Sequence, residues 1–194
     1  MTGLRIIAGS LKGRKLNTPT WEGLRPTSDK LRETLFNVVA AQAGEARLLD
    51  GFAGTGAVGI EALSRGAAHV TFVESDPRAV RLVERNLEHC AVTDRYAIIR
   101  ARFADAARLL PAGSFELVFL DPPYGPDVIV SSLEAAAPLV APGGLLILEH
   151  ARRHTAPIRA ASLAKTRDII SGDSALSLYQ TDGSFGRALA RESK

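Results

Sequence analysis

Between Ala46 and Glu149 the chain alternates short apolar runs with amphipathic ones, and this alternation restricts the possible folds more than any other feature. Ala46 to Asp50, His69 to Glu74, Tyr96 to Ala101, Phe115 to Leu120 and Leu145 to Glu149 read as strands. They are mostly apolar along their length, as strands covered on both faces of a parallel sheet must be. Gly56 to Ser64, Pro77 to Cys90, Ala104 to Leu110 and Val128 to Val140 read as the intervening helices, with Pro142-Gly143-Gly144 turning the chain into the fifth strand. In the second of these helices Asp76 is placed to cap the N-terminus, and Val80, Val83 and Leu87 share one face. Repeated strand, helix, strand units demand right-handed crossovers, so the fold class is α/β, a mostly parallel sheet with helices on both faces. Lys165 to Ile170 and Ala175 to Tyr179 are expected to close it as a hairpin, for a seven-stranded sheet.

The flanks of this core are basic. Arg5-Ile6-Ile7-Ala8, a turn over Gly9 to Gly13 and the return Arg14-Lys15-Leu16 read as a small N-terminal β-hairpin extension. Residues 1–32 carry Arg5, Lys12, Arg14, Lys15, Arg25, Lys30 and Arg32 against Glu22 and Asp29, a local charge of +5 where the whole chain carries +3. Such an arm suits a phosphate backbone, and equally suits a solvated strand pair that caps the fold; Trp21 favours neither. A helix is predicted from Lys30 to Ala41 on the spacing of Leu31, Leu35, Val38 and Val39, with Thr27 or Ser28 as N-cap. Arg152, Arg153, Arg159, Lys165 and Arg167 form a second basic stretch. The expected organisation is a hairpin arm over 1–24, a main domain over 25–180 and a peripheral tail over 181–194.

Composition narrows the function classes. At 46 % hydrophobic and 23 % charged residues, with no apolar run near the ~20 residues a span requires, the chain does not read as a membrane protein. Its N-terminus lacks the apolar region of a signal peptide, so a cytoplasmic location is expected. The single Cys90 excludes an internal disulfide and any multi-cysteine metal site. His69, His89, His150 and His154 show no ligand spacing, so no metal is expected and all four read as structural or surface residues.

Three strand ends carry acids. Asp50 precedes the glycine-rich bend Gly51-Phe52-Ala53-Gly54-Thr55-Gly56, Glu74 ends the second strand twenty residues after Gly54, and Asp105 follows the third. Gly54 to Gly59 satisfies G-x-G-x-x-G, but in a dinucleotide site the first glycine follows the strand at once and pyrophosphate rests on the helix N-terminus. Here four residues intervene, and Asp50 would repel a pyrophosphate while attracting an ammonium or sulfonium. Glu74 suits ribose hydroxyls and Asp105 an adenine amine, so the three acids match the parts of S-adenosylmethionine. The plainer reading is that Asp50 and Glu74 cap helices and Asp105 starts one.

The fourth strand ends in Asp121-Pro122-Pro123-Tyr124. Two prolines stiffen the loop and leave carbonyls free to accept hydrogen bonds. Such a loop suits a flat molecule bearing an NH2 group, with Asp121 and the Pro122 carbonyl receiving the amine hydrogens and Tyr124 stacking on the ring. A rigid loop closing a strand-helix unit is the alternative.

Asp50 to Gly56 together with Asp121 to Tyr124 resembles the amino-methyltransferases of class I, Rossmann-like fold. Arg5-Ile6-Ile7-Ala8-Gly9 with Lys12-Gly13-Arg14, Arg25-Pro26-Thr27-Ser28-Asp29 before Leu35-Phe36-Asn37, Gly54 to Ala67, Phe72 to Asp76, and Gly172 to Leu176 are similar to the RsmD family of bacterial 16S ribosomal RNA guanine-N2 methyltransferases. The resemblance runs from about residue 4 to 180, is loose around Asp105 and does not reach the tail after Gln180. It implies S-adenosylmethionine held by Asp50, Phe52, Gly54, Gly56, Glu74, Ser75 and Asp105, with Asp121, Pro122 and Tyr124 at the reacting amine. Arg5, Lys12, Arg14, Lys15, Arg25, Pro123 and Tyr124 would contact RNA, within an assembled or nearly assembled small subunit, and the protein is expected to be a monomer. Adenine-N6 methylation of DNA or RNA shares the same tetrapeptide. An NAD-dependent dehydrogenase is opposed by Asp50 and the proline pair, a non-catalytic RNA-binding assembly factor by the presence of both Asp121 and Tyr124, and protein glutamine methylation by Asp121 where such enzymes look to prefer Asn.

Overall fold

A computed structural model of the chain describes residues 3–22, 27–123 and 125–181. In chain order the elements are α1 (Asp29–Val38), α2 (Ala40–Ala43), β1 (Arg47–Asp50), α3 (Ala57–Ser64), β2 (His69–Glu74), α4 (Pro77–His89), β3 (Tyr96–Arg100), α5 (Phe103–Ala107) and β4 (Phe115–Leu120). They continue as α6 (Pro126–Ala136), a single 3-10 turn at Ala137–Leu139 around Pro138, β5 (Val140–Ala151), β6 (Arg159–Ala160), β7 (Leu163–Ser171) and β8 (Ser174–Thr181). The strands form one sheet in the order β3-β2-β1-β4-β5-β8-β7-β6. The first five are parallel to one another and the last three join antiparallel. Chain order reverses between β1 and β4, which is where an open α/β sheet leaves a crevice for ligands.

Successive residues of each inner strand enter opposite cores. Leu48, Phe72, Leu117, Phe119 and Ile147 belong to one buried cluster, while Leu49, Val73, Val118, Leu120 and Leu148 belong to the other. Period-two alternation in a sheet covered on both sides produces this, and it explains why the strands read as continuous apolar runs. Among the described residues no helix is long and apolar enough to cross a membrane.

The structure corrects several expectations. The sheet has eight strands rather than seven, because the segment after β5 folds back and pairs Arg159 and Ala160 with Ala164 and Leu163 at the edge. The expected helix over 30–41 breaks at Val39, whose side chain is buried and whose backbone (φ −96°, ψ 11°) leaves helical geometry before α2 resumes. Pro142-Gly143-Gly144 lies inside β5: Phe115 pairs with Val140 but Leu117 with Leu145, so the turn signal is realised as a bulge within the strand.

The N-terminal hairpin is present as a single antiparallel bridge, Arg5 to Lys15, rather than two regular strands. Its apolar residues Leu4, Ile6 and Leu16 enter the same core as α1 and α3, so the segment is fastened to the sheet's cover. Glu61, fully buried on α3, accepts from the Ile7 N–H at 2.7 Å and the Ala8 N–H at 3.0 Å. At the turn, Gly9 takes φ +83°, and a Cβ there would fall 1.9 Å from the Ser64 carbonyl oxygen, so only glycine passes.

Candidate active site

Register fixes the centre of the site. Asp50 ends β1 opposite Phe119 of β4, and Asp121 lies two residues further on, just past the end of β4, so the two residues stand at neighbouring strand tips across the switch point. Asp50 is 1 % exposed and its Oδ2 accepts from the Gly59 N–H at 3.2 Å. Burial pushes its carboxyl up to about 7, and the charges of Asp121 and Glu74 add to the rise. One backbone bond leaves Asp50 with spare acceptor capacity in a place where a cation would offset its desolvation.

The bend between β1 and α3 is held from both sides. Gly51 N–H donates to the Phe119 carbonyl at 2.9 Å and Ala53 N–H to the Val73 carbonyl at 3.0 Å. Gly56 caps α3 at φ +76°, a left-handed conformation that favours glycine. Glu74 ties the bend to β2: its Oε2 accepts from Gly54 N–H at 3.0 Å, and its Oε1 from Ser75 N–H at 2.6 Å and Asp76 N–H at 2.8 Å. Three of roughly four acceptor positions are thereby occupied, which leaves room for one ligand hydroxyl rather than the expected pair.

These residues line a cleft of about 490 Å³. Asp50, Phe52, Gly54, Glu74 and Ser75 are in its wall, with Asp121, Pro122 and Pro123 on the far side. Trp21, Thr27, Arg78 and Phe119 also line it, and none of these was singled out for the site from the sequence. The Arg78 guanidinium lies 5.2 Å over the Trp21 ring and bonds Asp76, making a charged rim. Asp105 is not brought to the cleft. It is exposed on α5 and 3.8 Å from Arg108, while its neighbour Phe103 turns inward to meet Phe52 at 5.2 Å between ring centroids.

A second cavity, of about 660 Å³, opens on the other side of the Asp121-Pro122 wall. Glu149, His150, Arg152, Arg153, His154 and Ser174 line it along with Asp121 and Pro122. Leu120 pairs with Leu148, so Asp121 and Glu149 are the next residues along two paired strands. Burial holds both carboxyls well above their ordinary values, and the neighbouring charge of Asp121 raises Glu149 further. His150 lies in the wall with its Nε2 2.8 Å from the Ser177 hydroxyl, which donates to Asp168 at 2.5 Å. The second basic stretch thus divides: Arg152 and Arg153 reach the cavity, and Lys165 instead bonds Asp168 at 2.8 Å.

Of the residues expected to contact RNA, Arg5 is 3.8 Å from Asp29, and Lys12, Arg14 and Lys15 are exposed. Arg14 donates to the carbonyl of His89, the last residue of α4, whereas the first turn of α4 lines the cleft. A thirteen-residue helix is about 20 Å long, so this basic cluster sits a helix length from the site. Tyr124 and Arg25 lie outside the described residues.

A sheet of this order, with two cavities that share Asp121 and Pro122 just beyond the tip of β4, has the Rossmann-like class I fold of methyltransferases. The solved structure of the Escherichia coli protein yhhF superimposes with a TM-score of 0.79 and 29 % identity, over 92 % of this chain and 97 % of that one. The chain belongs to the RsmD family, described as conserved hypothetical protein 95, whose profile matches residues 4–180. Escherichia coli (strain K12) ribosomal RNA small subunit methyltransferase D is 35 % identical over 183 residues, 92 % of this chain and 90 % of that protein. Bacillus subtilis (strain 168) YlbH is 35 % identical over 187 residues, 93 % of this chain and all of its own.

Proposed function

We propose that the protein methylates the exocyclic N2 amine of a guanine in small-subunit ribosomal RNA, with S-adenosylmethionine as donor. The observation that carries the reading is the Asp121-Pro122 wall shared by the two cavities, one acidic and partly aromatic, the other acidic within and basic at its mouth. The names of relatives that span nearly the whole chain support RNA of the small subunit as the substrate.

The residues present fit the donor. Asp50, with acceptor capacity to spare in a desolvated position, suits a cationic amino acid, the free position on Glu74 a ribose hydroxyl, and Phe52 a flat ring. S-adenosylmethionine supplies an electrophilic sulfonium methyl when bound. An aromatic exocyclic amine is a weak nucleophile because its lone pair is delocalised. Asp121 and the Pro122 carbonyl accept the two amine hydrogens and draw the nitrogen toward tetrahedral geometry, which would free the lone pair to form the N–C bond to the donor's methyl as the methyl–sulfur bond breaks and its electron pair stays on the departing thioether sulfur. The amine proton then passes to Asp121 or to water. Holding both reactants across one wall supplies most of the remaining acceleration, for which ~7–11 kcal/mol is available from orientation. A base must leave its stack to reach the wall, and Tyr124 is assigned the stacking that compensates.

Incubation with labelled S-adenosylmethionine and unmodified small subunits, free 16S RNA or DNA, followed by mapping of the modified nucleotide, tests the reading. Label in the N2 amine of one guanine is expected, with assembled or nearly assembled subunits the best substrate; label in adenine or in DNA overturns it. Arg152 and Arg153 line the mouth of the second cavity and are assigned to phosphates, as are Lys12, Arg14 and Lys15 on the outer cluster. Arg152→Ala with Arg153→Ala is expected to weaken RNA binding about tenfold at low salt and to flatten the slope of log affinity against log salt by one to two. An unchanged slope assigns the phosphate contacts elsewhere.

A further inference from the structure

Glu149 has no role in the mechanism above, yet it stands in the wall of the second cavity with its carboxyl held against a burial penalty. It follows Leu148 within β5, level with the end of β4, and so stands one strand over from Asp121, with adjacent strands about 4.8 Å apart. Its Oε2 is buried and has no hydrogen-bond partner among the described residues. The Thr27 and Ser174 hydroxyls offset only part of the penalty that burial and Asp121 impose on it. A buried carboxylate oxygen without a donor is expensive, and natural proteins keep such groups where a ligand completes them.

The geometry points to Glu149 as the residue that reads the Watson–Crick edge of the target base, accepting the guanine N1–H while Asp121 and Pro122 hold the adjacent N2 amine. This rests on the guanine reading given above. Guanine presents two neighbouring donors on that edge, the N1–H and the N2 amine, and the wall offers neighbouring acceptors, Glu149 and Asp121. Adenine presents an amine beside a bare N1 acceptor, which would leave Glu149 without its donor and set lone pair against lone pair. The tetrapeptide Asp121 to Tyr124 does not separate the two purines; a carboxylate on the next strand does. Arg152 and Arg153 at the cavity mouth then meet the phosphates that flank the extruded base.

The test uses 2-aminopurine, which keeps the amine at position 2 but has an unprotonated N1. Small subunits are reconstituted with 16S RNA bearing guanine or 2-aminopurine at the mapped position, and single-turnover methylation is measured at pH 8.5, above the raised value of the Glu149 carboxyl, for the full chain and for Glu149→Gln. The wild type is expected to prefer guanine about a hundredfold, since a site built around a ligand hydrogen rejects the analogue lacking it. In Glu149→Gln the amide can donate to the bare N1, so the preference is expected to fall below about fivefold, with donor binding by equilibrium dialysis unchanged. A hundredfold preference retained in Glu149→Gln overturns the assignment. A wild type that methylates guanine N2 but treats both bases alike overturns it without any variant, and leaves the proposed function standing. Wild-type transfer to an adenine amine overturns both.

Discussion

Replacing Asp121 with alanine is expected to lower methyl transfer by at least about a thousandfold while donor binding changes by no more than a fewfold. Removing one group that acts on the reacting atoms typically costs 10²–10⁴ in rate. Asp121 is one residue in the wall of the donor cleft, whereas Asp50, Glu74 and the Gly51 to Gly56 bend remain in place behind it. Equilibrium dialysis against rate therefore separates a catalytic role from a structural one, and equal loss of both would assign Asp121 to donor binding. The wild-type pH profile carries a second signature. Burial holds the Asp121 carboxyl above its ordinary value, in the neutral range. In the proposed mechanism its ionised form accepts the amine hydrogens, so falling pH protonates it and removes an acceptor. The acid limb of the rate profile should consequently appear near neutrality instead of near pH 4. A rate flat from pH 5 to 8 would remove Asp121 from the reacting amine.

Glu61→Ala is expected to destabilise the protein by about 3–5 kcal/mol, the cost of removing one member of a buried hydrogen-bonded charge pair. The Glu61 carboxylate accepts from Ile7 and Ala8 and from Arg65 Nε at 2.8 Å, and its side chain has no exposure. All three donors lose their acceptor at once. For a chain of this length the loss corresponds to a fall in Tm of roughly 6–20 °C, measurable by calorimetry. Limited proteolysis should reach the segment around Arg5 to Leu16 first, because those two N–H groups fasten the hairpin to α3. Glu61 lines neither cavity, so methyl transfer at low temperature should survive. A Tm within about 2 °C of wild type would show the hairpin to be held by its other contacts, Leu4, Ile6 and Leu16 in the core and the hydrogen bonds of Ser64 with Ala8, Ser10 and Leu11.

Strands were legible to the residue where sequence and environment agree most closely. β2 and β4 begin and end as expected because a sheet covered on both faces writes itself as an unbroken apolar run between polar ends. Elsewhere the local signal was real but its outcome depended on packing. Pro142-Gly143-Gly144 bends the backbone as it should, yet pairing with β4 on either side absorbs the bend into β5. Two-residue pairing at β6 leaves no pattern in a sequence. Asp50, Glu74 and Asp121 follow from one rule, that ligands of such sheets lie at the carboxyl ends of strands, and the structure brings all three to the wall of one cleft. Asp105 stays outside the cleft because α5 is short and amphipathic: Phe103 and Ala106 face the core, and the two residues between them, Ala104 and Asp105, face water. Glu149 ends the expected fifth strand and so meets the same rule, but no motif accompanies it, and in the structure β5 continues to Ala151. Trp21 and Thr27 reach the cleft only through the path of the N-terminal segment, which residue spacing does not encode.

The chain contains one tryptophan, and Trp21 stands in the cleft wall against Arg78. An indole so placed is an optical reporter built into the protein. Its emission should change as the cleft fills and stay constant as the cavity beyond Asp121 fills, so unlabelled titrations can follow the two ligands separately and reveal whether either must arrive first.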